Sequence, residues 1–108
     1  MNNYSLEDIV RCVHSTRGRL RFRLVDSAID MYKNLSREQK EDLHEKQEAM
    51  LREIENMQGI TSVRIIKIIA SITISYNPQV TTEENVISSL NSIVKEYYPK
   101  NVNDKTEK

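Results

Sequence analysis

Cysteine occurs once in this chain, at Cys12, so no internal disulfide forms and no cross-linked framework stands in for a core. Glycine and proline are nearly as scarce, at two each, which leaves few points where regular structure must break. Neither sign of charge prevails. Sixteen basic residues balance sixteen acidic ones, so the molecule as a whole has no pull towards nucleic acid or anionic lipid, although a local patch remains open to it. Long apolar runs are missing too: the nearest approach, ITSVRIIKIIASITI, is interrupted by Arg64 and Lys67, and no transmembrane segment is expected. The opening MNNYSLEDIV has no basic stretch, apolar run and small-residue cleavage site in succession. A signal peptide is not expected, and the cytoplasm is the default compartment.

What is present is enough to fold. With 38% hydrophobic and 30% charged residues the chain is too apolar for disorder, and at 108 residues it has room for one core. A single domain is expected over residues 1–100, followed by a polar, disordered tail over 101–108. Leu20, Phe22 and Leu24 alternate with Arg19, Arg21 and Arg23, the period of a strand with one buried face. Gly18 just before it is expected to make a bulge or bend within one long strand, in preference to a hairpin.

Residues 26–34 show no clear pattern. Ser36 with Gln39 three positions on forms a capping box, and Leu43, Met50, Leu51, Ile54 and Met57 return at helical spacing until Gly59. Two strands follow, Thr61–Lys67 and Ser71–Tyr76, the second alternating Ile72, Ile74 and Tyr76 with Ser71, Thr73 and Ser75. The turn between them falls in KIIA, which lacks the usual Gly, Asn or Asp, so Ile68 and Ile69 are either buried at a strand edge or displayed for a partner. Thr81 and Glu84 make a second capping-box pattern before a helix whose apolar face runs from Val86 to Tyr97. The order strand, helix, strand, strand, helix predicts an α+β ferredoxin-like split βαβ sandwich. It has an antiparallel sheet, two helices on one face and a fourth strand that is weak or absent.

Three segments, VHSTRGRLRFRL, MQGITSVRI and SITISYNP, resemble the second heavy-metal-associated domain family, over roughly Val10 to Tyr97. That family is similar to the ferredoxin-like domains attached to metal-transporting P-type ATPases but is poor in cysteine. Metal-carrying relatives hold a soft ion with a CxxC pair after the first strand, where this chain has His14, Ser15, Thr16, Arg17 and Gly18. The resemblance therefore implies a docking or regulatory module, with a metal-transport protein among the possible partners, and not direct ion delivery.

Cys12 and His14, two apart in a straight strand, are expected to share a face. They are either a buried thiol beside a hydrogen-bonded histidine or two ligands for a transition metal or haem iron, the remaining ligands then coming from a second copy in a homodimer. His44 on the long helix is expected to face solvent, and Met50 and Met57 to pack. Arg11, Arg17, Arg19, Arg21 and Arg23 are the one concentrated basic segment. Alternate arginines present forked donors to phosphate, haem propionate or an acidic protein surface. Phe22 lies in the opposite phase, so the face lacks aromatic stacking partners and nucleic acid is disfavoured. No phosphate-binding loop and no nucleophile with an orienting base is legible, and the chain is expected not to be an enzyme. The leading expectation is a binding module that uses Arg17, Arg19, Arg21, Arg23, Ile68 and Ile69 on a protein partner. The alternative is a metal or haem sensor built on Cys12 and His14, its cofactor unidentified.

Overall fold

Alternation in β2 (Arg19–Leu24) converts directly into burial: Leu20 and Phe22 are sealed in the core while Arg19, Arg21 and Arg23 stay exposed. The computed structural model describes residues 4–98; the tail expected over 101–108 lies outside the described residues. Upstream of β2 the chain is not one long strand. It folds back as a hairpin, β1 (Val10–Thr16) pairing antiparallel with β2 through Val10–Leu24 to Thr16–Arg19. Gly18 makes this turn possible at φ +91, a backbone shape that costs other residues about 1–2 kcal/mol. Its carbonyl also accepts the Tyr76 N–H at 2.9 Å, which locks the turn to the far end of the neighbouring strand.

The hairpin completes the sheet. β3 (Ile60–Ile66) and β4 (Ser71–Tyr76) follow a helical crossover, and the order β1-β2-β4-β3 places β4 antiparallel between β2 and β3. This is the expected α+β ferredoxin-like sheet, antiparallel with its helices packed on one face. Among the described residues no strand follows the last helix, and the place beside β2 belongs to β1 instead.

Four helices accompany the sheet. A single turn, α1 (Leu6–Ile9), leads into β1 and is tied down by Leu6 N–H donating to Asn91 Oδ1 at 2.7 Å. The passage without clear pattern is helical, α2 (Asp26–Lys33); it buries no residue completely and follows Val25, which has no side-chain oxygen to mark the start of a helix. In α3 (Arg37–Glu55) the Ser36 capping box forms as expected, Gln39 N–H donating to Ser36 Oγ at 3.1 Å and Ser36 N–H to Gln39 Oε1 at 2.8 Å. The last helix, α4 (Glu83–Tyr97), starts one residue later than the sequence suggests. Thr82, not Thr81, is its cap, and Thr82 Oγ1 accepts the Asn85 N–H at 3.1 Å.

Val86, Leu90 and Ile93 of α4 and Ile54 of α3 close over Leu20, Phe22, Ile74 and Tyr76. The two long helices are also joined by a hydrogen bond from the Tyr97 hydroxyl to Glu53 Oε2, which, with desolvation, pushes the tyrosine pKa up to about 12. The proton is thus held more tightly in the folded chain than in the unfolded one, whose tyrosine titrates near 10. Stability from this contact is complete below pH 10 and falls as pH rises towards 12. Urea midpoints measured across that window should drop for the native chain and drop less for Tyr97→Phe.

Candidate functional site

The register sorts every strand residue onto one side of the sheet, because directly paired residues in an antiparallel ladder point the same way. Leu20, Phe22, Ile74 and Tyr76 define the helix side. On the open side three rows run across the strands: Arg11, Arg23, Ser71 and Ile66; then His14, Arg21, Thr73 and Arg64; then Thr16, Arg19, Ser75 and Ser62. These positions hold five arginines, one histidine, five hydroxyls and one isoleucine. No acid lies among them.

Charge is segregated among the described residues. All fourteen acidic residues in the described chain lie in the four helices, beside six basic ones. The strands and their two turns carry Arg11, Arg17, Arg19, Arg21, Arg23, Arg64 and Lys67 and no acid at all. A formal charge of zero therefore conceals a basic sheet face backed by an acidic helical layer. Along β2 successive guanidinium groups start about 6.6 Å apart, and neighbouring strands lie about 4.8 Å away, so the arginine stems form a dense array.

None of these arginines is neutralised by an ion pair within the described residues, where His44 Nε2 and Glu48 Oε2 make a salt bridge at 3.2 Å on the exposed side of α3. Arg11 stands directly opposite Arg23, an arrangement that destabilises a sheet by roughly 0.2–1 kcal/mol. Arg23 is held in place by its Nε–H donating to the Ile69 carbonyl at 3.2 Å. Beside it the Ser71 hydroxyl is buried and has no hydrogen-bond partner among the described residues. The repulsion between Arg11 and Arg23 is a cost of folding that a bound anion would relieve.

Cys12 and His14 do not share a face. A bulge shifts the register between them, so that Cys12 pairs with Phe22 on the helix side and His14 with Arg21 on the open side. Both are exposed, and the Cys12 thiol donates to the His14 carbonyl at 3.4 Å. No group of three or more His, Cys, Asp or Glu able to hold a metal ion occurs among the described residues. Arg17 sits in the hairpin turn, beyond the three rows. Ile68 and Ile69 belong to a short 3-10 turn, Lys67–Ile69, closed by Ala70 at φ 52; Ile68 is 97% and Ile69 42% exposed, so this tip is displayed.

Two members of the face, Arg64 and His14, escape a reading of the basic segment alone. Arg64 is 43 residues beyond Arg21 in the chain and joins its row only because both strands pair with β4, while His14 joins it through the bulge. The signal that was available is the alternation in Ser62, Arg64 and Ile66, but nothing local says which strand lies beside it.

Together these features define a small ferredoxin-like α+β domain without a CxxC pair, whose open sheet face is basic. Comparison with family models, curated proteins and solved structures gives no match to the chain. No helix among the described residues is long and apolar enough to cross a membrane.

Proposed function

We propose that this protein is a non-catalytic binding module that docks onto an acidic surface of another protein through its open sheet face. The observation that carries this reading is the array of Arg11, Arg19, Arg21, Arg23 and Arg64, free of acids and interleaved with hydroxyls. Arginine forks bind carboxylates bidentately, and neighbouring hydroxyls supply the remaining donors. A protein fits this face better than nucleic acid does, because none of its twelve paired positions is aromatic and bases would find nothing to stack on. The exposed isoleucines at the adjoining edge point the same way, since apolar surface next to a charged face is typical of protein contacts.

The resemblance to the second heavy-metal-associated domain family agrees with a docking role and makes metal-transport proteins the first partners to try. The separation of Cys12 from His14 by the bulge gives no support to chelation by both side chains of one copy.

The test is fluorescence anisotropy with labelled poly-L-glutamate and, in parallel, a single-stranded oligonucleotide, each over a salt series. Poly-L-glutamate should bind in a salt-dependent way. The triple variant Arg19→Glu/Arg21→Glu/Arg23→Glu should lose this binding by about 100-fold or more while keeping a native circular dichroism spectrum. Equal binding by the triple variant would refute the assignment of the face. Tighter binding of the oligonucleotide than of poly-L-glutamate would replace the protein partner with nucleic acid.

A further inference from the structure

The two edges of the sheet are built differently. β1 is interrupted at Cys12 and His14 by the bulge, a device that spoils an edge for pairing, and it presents Arg11 there. β3 has its own irregularity between Ile60 and Ser62, near its start, but none beyond it. From Ser62 to Ile66 it pairs residue for residue with Ser75 to Ser71, so its outer side carries a regular series of unused backbone donors and acceptors. Proline and glycine are absent from this stretch, and Arg64 is its one charge.

Apolar exposure concentrates on the same edge. Ile65 is 45% and Ile66 37% exposed, and they lie on opposite sides of the sheet, Ile65 beside Ile72 on the helix side and Ile66 beside Ser71 on the open side. A helix or a flat surface laid on one side would leave the other isoleucine wet. A strand laid alongside β3 covers both, because its own side chains alternate.

Charge decides which strand. Among the described residues a second copy of this chain offers only strands without acids, and joining two sheets through β3 would unite two basic faces. Building on the acidic-partner reading above, we propose that the β3 edge takes up an extended segment of the partner as an added strand, with carboxylates on the open side and aliphatic residues on the helix side. The carboxylates meet Arg64 and the row that continues through Thr73 to Arg21; the aliphatic residues meet Val63 and Ile65. Main-chain hydrogen bonds supply affinity, and the alternation sets direction and register.

The experiment uses the full chain and a short labelled peptide of alternating glutamate and valine. Controls are a block peptide of the same composition and two versions N-methylated at alternate backbone positions, one set for each parity. N-methylation leaves every side chain in place but removes backbone donors from one edge of the peptide. The alternating peptide should bind at least about tenfold more tightly than the block peptide, and one N-methylated parity should lose that advantage while the other keeps it. Binding should also slow amide exchange in residues 62–66. Equal affinity for alternating, block and both N-methylated peptides would overturn edge addition. In that case the open-face reading still stands if poly-L-glutamate binding persists and depends on Arg19, Arg21 and Arg23, and falls if it does not. A dimer that forms without peptide and disappears in Ile65→Glu would assign the edge to a second copy and likewise overturn the proposal.

Discussion

Alanine in place of Gly59 should lower the free energy of unfolding by about 3 kcal/mol, the sum of two separate costs. The first is conformational. Gly59 sits at φ +89, and a side chain in that region costs about 1–2 kcal/mol. The second is steric: a Cβ at this position would lie 2.6 Å from Thr81 Cγ2, 3.1 Å from Thr81 Cβ and 3.3 Å from Val80 Cγ1. Both neighbours are β-branched and stiff at χ1, so they yield only by moving backbone, at about 1–3 kcal/mol. That backbone is already fixed, since the Gly59 carbonyl accepts the Asn77 N–H at 2.7 Å and Asn77 in turn accepts from Val80 and Thr81.

Urea denaturation of Gly59→Ala, alone and with Thr81→Ala, separates the two costs. The double variant should recover the steric part and keep the conformational one. A loss below about 1 kcal/mol in the single variant would mean that neither the turn geometry nor the packing is as described.

The second large effect is a contrast between neighbours. Leu20→Ala should cost about 3–4 kcal/mol, because the side chain is fully buried among Phe22, Ile74 and the α4 residues and its removal leaves a cavity. Arg21→Ala, one residue on, should change stability by no more than about 0.5 kcal/mol, since an exposed side chain beside like charges has little to lose. Binding should rank the two the other way. Arg21 occupies the middle of the row that runs from His14 to Arg64, so its removal should weaken poly-L-glutamate binding by about tenfold. Leu20→Ala, measured at a temperature where it remains folded, should bind as the native chain does. Urea midpoints at constant m give the first comparison and anisotropy titrations the second. Comparable stability losses for both residues would contradict the two-sided sheet.

Much of the fold was legible in local sequence. The alternation at Arg19–Leu24 and again at Ser71–Tyr76 marks two strands and their buried sides, and Ser36 with Gln39 marks the start of α3 to the residue. These signals act between residues two to four apart, so they survive in any environment that keeps the local geometry. Where two caps compete, as with Thr81 and Thr82, local chemistry allows both; the turn over Asn77–Val80, closed by Asn77 Oδ1 accepting the Gln79 N–H at 2.8 Å, sets which one is used. α2 lay beyond local reach because it is short and Val25 before it carries none of the capping chemistry that announces α3.

The candidate site was legible only in part. Arg19, Arg21 and Arg23 announce a basic strand face by themselves, and the tip at Ile68 and Ile69 announces itself by lacking turn residues. The hairpin at Gly18, the bulge that parts Cys12 from His14, and the arrival of Arg64 and His14 beside Arg21 did not. Each depends on which strand lies next to which, a choice made by closing Val86, Leu90 and Ile93 over Leu20, Phe22 and Ile74. Sequence alone determined that Arg19, Arg21 and Arg23 share one side of a strand whose other side is buried. Only the tertiary structure decided that Arg11, Arg19, Arg21, Arg23 and Arg64 gather on one face with no countercharge among the described residues, because strand order and register come from long-range burial and leave no trace in neighbouring residues.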